Sequence, residues 1–175
     1  MDATTDSDLT PMKNRTKVER KSERELVVTR TVNGPARIVF EAWTKPELFI
    51  RWWVPKSFGL SVLSYEADVR AGGRYRLVFA HQASPEPMEF FGTYIEVTPH
   101  SRLVWTNDEA SDGGPVTTVT FEEKAGKTQL VVHELYPSKE PLDGAMASGE
   151  KGGMSETFEQ LDALIVTLCA SDEPS

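Results

Sequence analysis

At 175 residues and 19.5 kDa, the chain has the length of one domain, enough to bury roughly 70% of its unfolded surface without disulfides or metal. With 39% hydrophobic and 26% charged residues its composition is ordinary and globular, and a net charge of −8 argues against a nucleic-acid partner, whose phosphates it would repel. No run approaches the roughly 18 apolar residues of a membrane span, and Met1 to Thr10 lack the basic start and apolar stretch of a signal peptide, so a cytoplasmic location is expected.

Residues 1–22 carry few large apolar side chains among many Thr, Asp, Lys and Arg, which predicts a disordered tail. The β-branched run Leu26 to Val32 reads as a strand ended by Gly34-Pro35. Pro35 suits the first position of a helix that carries Val39, Ala42 and Trp43 at helical spacing. Thr44 and Glu47, three apart, predict a capping box opening a second short helix with Leu48, Phe49, Trp52 and Trp53. Strands follow over Leu60 to Val69, Tyr75 to His81, Glu89 to Val97, Leu103 to Asn107, Val116 to Glu122 and Thr128 to Leu135. Turn signals separate them: Gly72-Gly73, Pro85 with Pro87, Asp112 to Pro115, and Lys124 to Lys127. Short polar turns between consecutive strands predict an antiparallel meander. The period then changes, with Met154, Phe158, Leu161, Ile165 and Leu168 marking the apolar stripe of a long final helix. The lone Cys169 falls near the end of that pattern and reads as a small core residue.

This order predicts an α+β domain over residues 23–170, with a short tail at 171–175. Its curved antiparallel sheet of six to seven strands closes on one long helix, with two short helices besides. Phe79, Phe91, Trp105, Phe121 and Phe158 are the candidate inward aromatics. Such side chains line a cavity as readily as they fill one, and periodicity does not separate the two outcomes.

The run Val32 to Trp43, with Thr44-Lys45-Pro46-Glu47 after it, resembles the opening of the START-like (SRPBCC) superfamily. Trp52-Trp53, Asp68 to Tyr75, Gly92 to Pro99 and Arg102 to Thr106 look like its branch named after the activator of the heat shock protein 90 ATPase. The match covers residues 24 to about 168. One departure is visible: members carry a Gly-Trp pair where the last helix begins, and this chain has Gly153-Met154. The resemblance implies a helix-grip fold with a hydrophobic cavity between sheet and C-terminal helix, which in the superfamily holds lipids, steroids, polyketides or plant hormones.

Motifs that demand chemistry are missing from the sequence. His81, His100 and His133 have no metal-ligand spacing, the serines sit in no nucleophile elbow, and Gly72-Gly73 is no phosphate loop. Three acids are candidates for a polar anchor or a general base, or else for structural ion pairs. They are Glu134 on the face of Leu130 and Val132, Glu89 on the face of Phe91, and Asp68 two residues before Arg70. The resulting expectation is a binding protein for an apolar or amphipathic small molecule, without cofactor, metal or membrane insertion. Its ligand contacts would be Trp53, Phe79, Phe91, Trp105, Phe121, Glu134, Met154, Phe158 and Leu161. Two alternatives stay open: a cavity enzyme of cyclase or hydrolase type using an inward carboxylate, and a co-chaperone-like stimulator of a partner ATPase.

Overall fold

A computed structural model describes residues 16–54, 59–81, 86–108, 114–147 and 154–172. The strands are β1 (Lys17–Arg20), β2 (Glu25–Val32), β3 (Leu60–Ala67), β4 (Arg74–His81), β5 (Met88–Thr98), β6 (Arg102–Thr106), β7 (Val116–Lys124) and β8 (Lys127–Leu135). The helices are α1 (Ala36–Thr44), α2 (Pro46–Phe49), α3 (Lys139–Ala147) and α4 (Met154–Asp172). The strands form one antiparallel sheet in the order β1-β2-β8-β7-β6-β5-β4-β3, consistent with a helix-grip fold.

The sheet has eight strands rather than six to seven. The additional one, β1, lies inside the segment expected to be a tail and pairs Lys17 with Thr29 through Arg20 with Leu26. All four of its residues are exposed, so it joins the edge through backbone hydrogen bonds and leaves no hydrophobic period to read. Helix α3 was likewise not anticipated, because Pro141 and Gly144 weaken its helical signal. It is held by Leu142 and Ala145, which form a small cluster with Leu26 and Tyr136.

Helix α1 starts after Pro35, which offers no side-chain cap. The backbone N–H of Ala36 instead donates to Glu123 Oε1 at the end of β7, 2.9 Å away, placing a carboxylate where the helix dipole favours it. The capping box expected at Thr44 is not formed. Thr44 Oγ1 donates back to Phe40 O at 2.9 Å, and α2 begins at Pro46 with no side-chain cap, because α1 continues through Thr44 and commits its hydroxyl to the preceding turn.

The main core lies where α1 and α4 cover the sheet. Leu130, Leu161, Phe158 and Ile165 are each fully buried there, with Val28, Val39 and Val119 beside them. Arg30, on the inward parity of β2, is only 3% exposed. It reaches Asp162 Oδ2 on α4 at 2.5 Å and Thr16 Oγ1 at 2.7 Å, which is how a buried guanidinium is tolerated.

Candidate functional site

The strands farthest from α4 carry aromatic residues on their inward face. Trp43 ends α1, Phe49 sits on α2 and Trp53 follows it; Tyr65, Tyr75 and Tyr94 come from β3, β4 and β5. With Leu77, Phe90, Trp105 and Asn107 they surround a cavity of about 50 Å³ that is partly open to solvent. Phe90, 38% exposed, stands at its rim. Among the described residues, no carboxylate, imidazole or amine lines it.

Each wall is positioned by an identifiable contact. Phe49 lies between Trp53 and Tyr65, stacked on them at centroid distances of 4.8 and 5.1 Å. Trp52 Nε1 donates to Ala42 O at 2.9 Å and so folds the turn back on α1. From behind, Gln160 Nε2 on α4 donates to Trp52 O at 2.8 Å and Val54 O at 3.0 Å. The C-terminal helix therefore holds the turn that presents Trp53, and none of its residues with described side chains lines the cavity. On the opposite wall Tyr75 Oη donates to Thr106 O at 2.8 Å, while Asn107 Nδ2 donates to Pro115 O at 2.7 Å and Thr117 Oγ1 at 2.9 Å. Gly92, paired with Tyr75, makes this approach possible: a Cβ there would stand 1.9 Å from Thr106 O and 2.9 Å from the Tyr75 ring.

Two phenols inside the site are neutral at any ordinary pH. Burial pushes Tyr65 far above its usual value, and the hydrogen bond it shares with Tyr94 pushes the same way. Tyr94 is also raised by burial, with that bond acting in the opposite direction. Trp43 is only 2% exposed, and its Nε1 has no hydrogen-bond partner among the described residues. A buried donor left unpaired costs about 1–3 kcal/mol.

Of the nine residues expected at the site, Trp53 and Trp105 line the cavity. Phe121 is packed edge-on against Phe40 at 5.3 Å, and Phe158 and Leu161 are fully buried in the main core. Phe79 is buried and stacks on Phe90 at 5.1 Å. Glu134 accepts a hydrogen bond from Tyr136 Oη at 3.0 Å, away from the cavity. The side chain of Met154 lies outside the described residues.

Phe91 requires a correction. It pairs with Arg76, whereas Phe90 pairs with the buried Leu77, so Phe90 faces inward and Phe91 outward. Two adjacent phenylalanines have opposite parity, and only the register with β4 shows which one shares the inward face of Leu77. Glu89 shares the outer face and forms an ion pair with Arg76. Both line an open groove of about 390 Å³ with Glu66 and Arg74. Asp68 pairs with Arg70 at 2.8 Å, both well exposed.

The lining residues that sequence reasoning missed are chiefly Tyr65, Tyr75, Tyr94 and Phe90. A usable signal was present, since three of the four tyrosines fall on successive strands, and an amphipathic ring repeated on one sheet face marks a place where buried surface meets a polar need.

Solved structures share this architecture. A protein from Rhodobacter sphaeroides matches with a TM-score of 0.79 at 21% identity, covering 87% of this chain and 99% of its own. One from Nitrosomonas europaea matches at 0.77 and 23% identity, covering 86% and 99%. One from Staphylococcus epidermidis matches at 0.70 and 26% identity, covering 86% and 94%. No curated protein matches the chain. The family model described as activator of Hsp90 ATPase homolog 1-like protein matches residues 33–165, and it is to this family, with its START-like fold, that the chain belongs.

Proposed function

We propose that this protein binds a small apolar or amphipathic molecule in the aromatic cavity between α1, the Trp53 turn and strands β3–β6. The observation that carries this reading is the cavity itself, walled mainly by rings and open at the Phe90 edge. Apolar walls with a few fixed polar groups are what small-molecule sites consist of. At about 50 Å³ the enclosed space falls well short of the roughly 300–1,000 Å³ of a typical pocket. The cavity therefore takes one end of a ligand, and the remainder leaves through the mouth. Glu134 lies elsewhere, so an enzyme built on that carboxylate loses its geometric premise, and no observation favours the co-chaperone reading. No described helix is long and apolar enough to cross a membrane; a cytoplasmic setting is part of the proposal.

Native mass spectrometry of freshly purified protein, beside a denatured control, tests the reading. The expected result is an added mass lost on denaturation, with Trp53→Ala abolishing it. A ligand at a hundredfold its Kd adds about 2.7 kcal/mol of stability, so apolar compounds should also raise Tm. A bare mass together with a Tm unmoved by any apolar compound sinks the proposal.

A further inference from the structure

The turn after α2 carries Trp53 into the cavity wall, and side chains of α4 take three successive carbonyls of that turn. Gln160 Nε2 donates to Trp52 O at 2.8 Å and to Val54 O at 3.0 Å, and Thr157 Oγ1 donates to Trp53 O at a longer 3.4 Å. The last carbonyls of a helix have no partner within it, and a helix as short as α2, Pro46–Phe49, has little stability of its own. The donors are held more firmly. Thr157 and Gln160 are three apart and share a face of α4, and their neighbours Phe158 and Leu161 are fully buried in the main core. Gln160 lies off the apolar stripe of its helix, where a residue facing water is the ordinary expectation. Here it is only partly exposed and directs its amide at another element.

We propose that Gln160, with Thr157 in a lesser part, is the positioning residue of the cavity and sets its affinity for ligand from behind the wall. The proposal rests on the cavity's being a ligand site. The chain of contacts is short. The clasp fixes the backbone on both sides of Trp53, the Trp53 ring stacks on Phe49 at 4.8 Å, and Phe49 stacks on Tyr65 at 5.1 Å. All three rings line the cavity, so a turn that shifts carries one wall with it.

Size makes the position of that wall decisive. In an enclosed space of about 50 Å³ a ligand end touches every side at once, and a gap of roughly 0.5–1 Å loses a quarter to a half of each contact it opens. The opposite wall is held without α4, Tyr75 Oη by Thr106 O and Asn107 Nδ2 by Pro115 O and Thr117 Oγ1. Loss of the clasp therefore displaces one wall and leaves the other in place, which separates positioning from a general loosening of the fold.

The test titrates the full chain with 1-hexanol and follows the indole N–H signals of Trp53 and Trp105, each assigned by its loss in Trp53→Phe or Trp105→Phe. Gln160→Met keeps the length and helix preference of the side chain and removes both donors. It should weaken 1-hexanol binding about tenfold, and move the Trp53 signal of the unliganded protein while the Trp105 signal stays. Thr157→Val, which removes the longer bond, should weaken binding about twofold, with Thr157→Ser restoring the wild-type value. Thr167→Val, which removes a hydroxyl from an exposed position of the same helix, should change nothing. Gln160→Met binding 1-hexanol as wild type does, or moving both indole signals alike, overturns the positioning role and leaves cavity binding intact. If 1-hexanol perturbs neither indole signal nor the Tm of the wild type, the cavity reading falls and this proposal falls with it. Should Gln160→Met fail to fold, Thr157→Val and the wild type decide. Equal affinities for the Val and Ser variants, with Gln160 side-chain amide signals that bound 1-hexanol leaves unmoved, overturn the role as well.

Discussion

The two halves of the sheet solve the same packing problem with different side chains. Under α1 and α4, strands β2, β7 and β8 bury Val28, Val119, Leu130 and Val132 against Leu161 and Ile165. Branched aliphatic chains interdigitate to near-crystalline density. On the other half, β3 to β6 meet the end of α1 and the Trp53 turn, and the inward residues are mainly rings. Flat, rigid plates meet at edges and angles. Their hydroxyl and N–H groups must also reach partners, so space survives between them. The aliphatic half packs closely because its side chains adapt, and the aromatic half keeps a cavity because its rings adapt less.

Substitutions separate the halves, and the largest effect belongs to the solid one. Leu161→Ala or Phe158→Ala should cost about 3–5 kcal/mol in urea unfolding, and a loss below 1 kcal/mol would contradict the packing described. Asp162→Ala, which strands the buried Arg30 guanidinium, should cost roughly 3 kcal/mol by the same measurement. Enlarging side chains reverses the contrast. Leu161→Phe should cost about 1–3 kcal/mol by overpacking. Leu77→Phe, directed at the cavity that Leu77 lines, should stay within about 1 kcal/mol of wild type and block ligand uptake. Equal penalties at the two sites would erase the distinction between them.

Titration gives the next contrast. Tyr65 and Tyr94 have folded-state values raised above the ordinary phenol value of 10.0. Their contribution is therefore complete below about pH 10 and is lost as pH climbs beyond it toward the folded values. Alkaline denaturation followed by phenolate absorbance should show these two tyrosines ionising only as the β3–β6 half opens. Free titration near pH 10 without unfolding would refute that. The smallest effect is on the acid side. Glu25, lowered first by its hydrogen bond to His133, stabilises the fold above its unfolded value, and that contribution fades as pH falls. The pair is solvent-exposed, so His133→Ala should leave the acid transition within experimental error.

Much of this was legible in the chain. Period-2 and period-3.6 patterns placed β2 to β8, α1 and α4 to within a few residues, because each buries one face and so writes its period into the sequence. The strand β1 and the helix α3 escaped for the converse reason, one burying nothing and the other holding on by two residues. The site was harder. Trp53 and Trp105 were named as candidates, but Phe121, Phe158 and Leu161 turned out to be core, since inward parity is common to a residue that fills space and one that borders it.

By itself, then, the sequence determined the order of most elements, the antiparallel meander, the final helix and some of the inward-facing rings, Phe79, Trp105, Phe121 and Phe158 among them. These follow from local periodicity and turn chemistry, which every short segment carries within itself. Tertiary structure alone decided that Phe90 and not Phe91 shares the inward face of Leu77, that α4 braces the Trp53 turn through Gln160, and that Trp43 Nε1 has no hydrogen-bond partner among the described residues. Register, long-range hydrogen bonds and leftover volume are properties of pairs and clusters brought together across the chain, and no single stretch of residues encodes them.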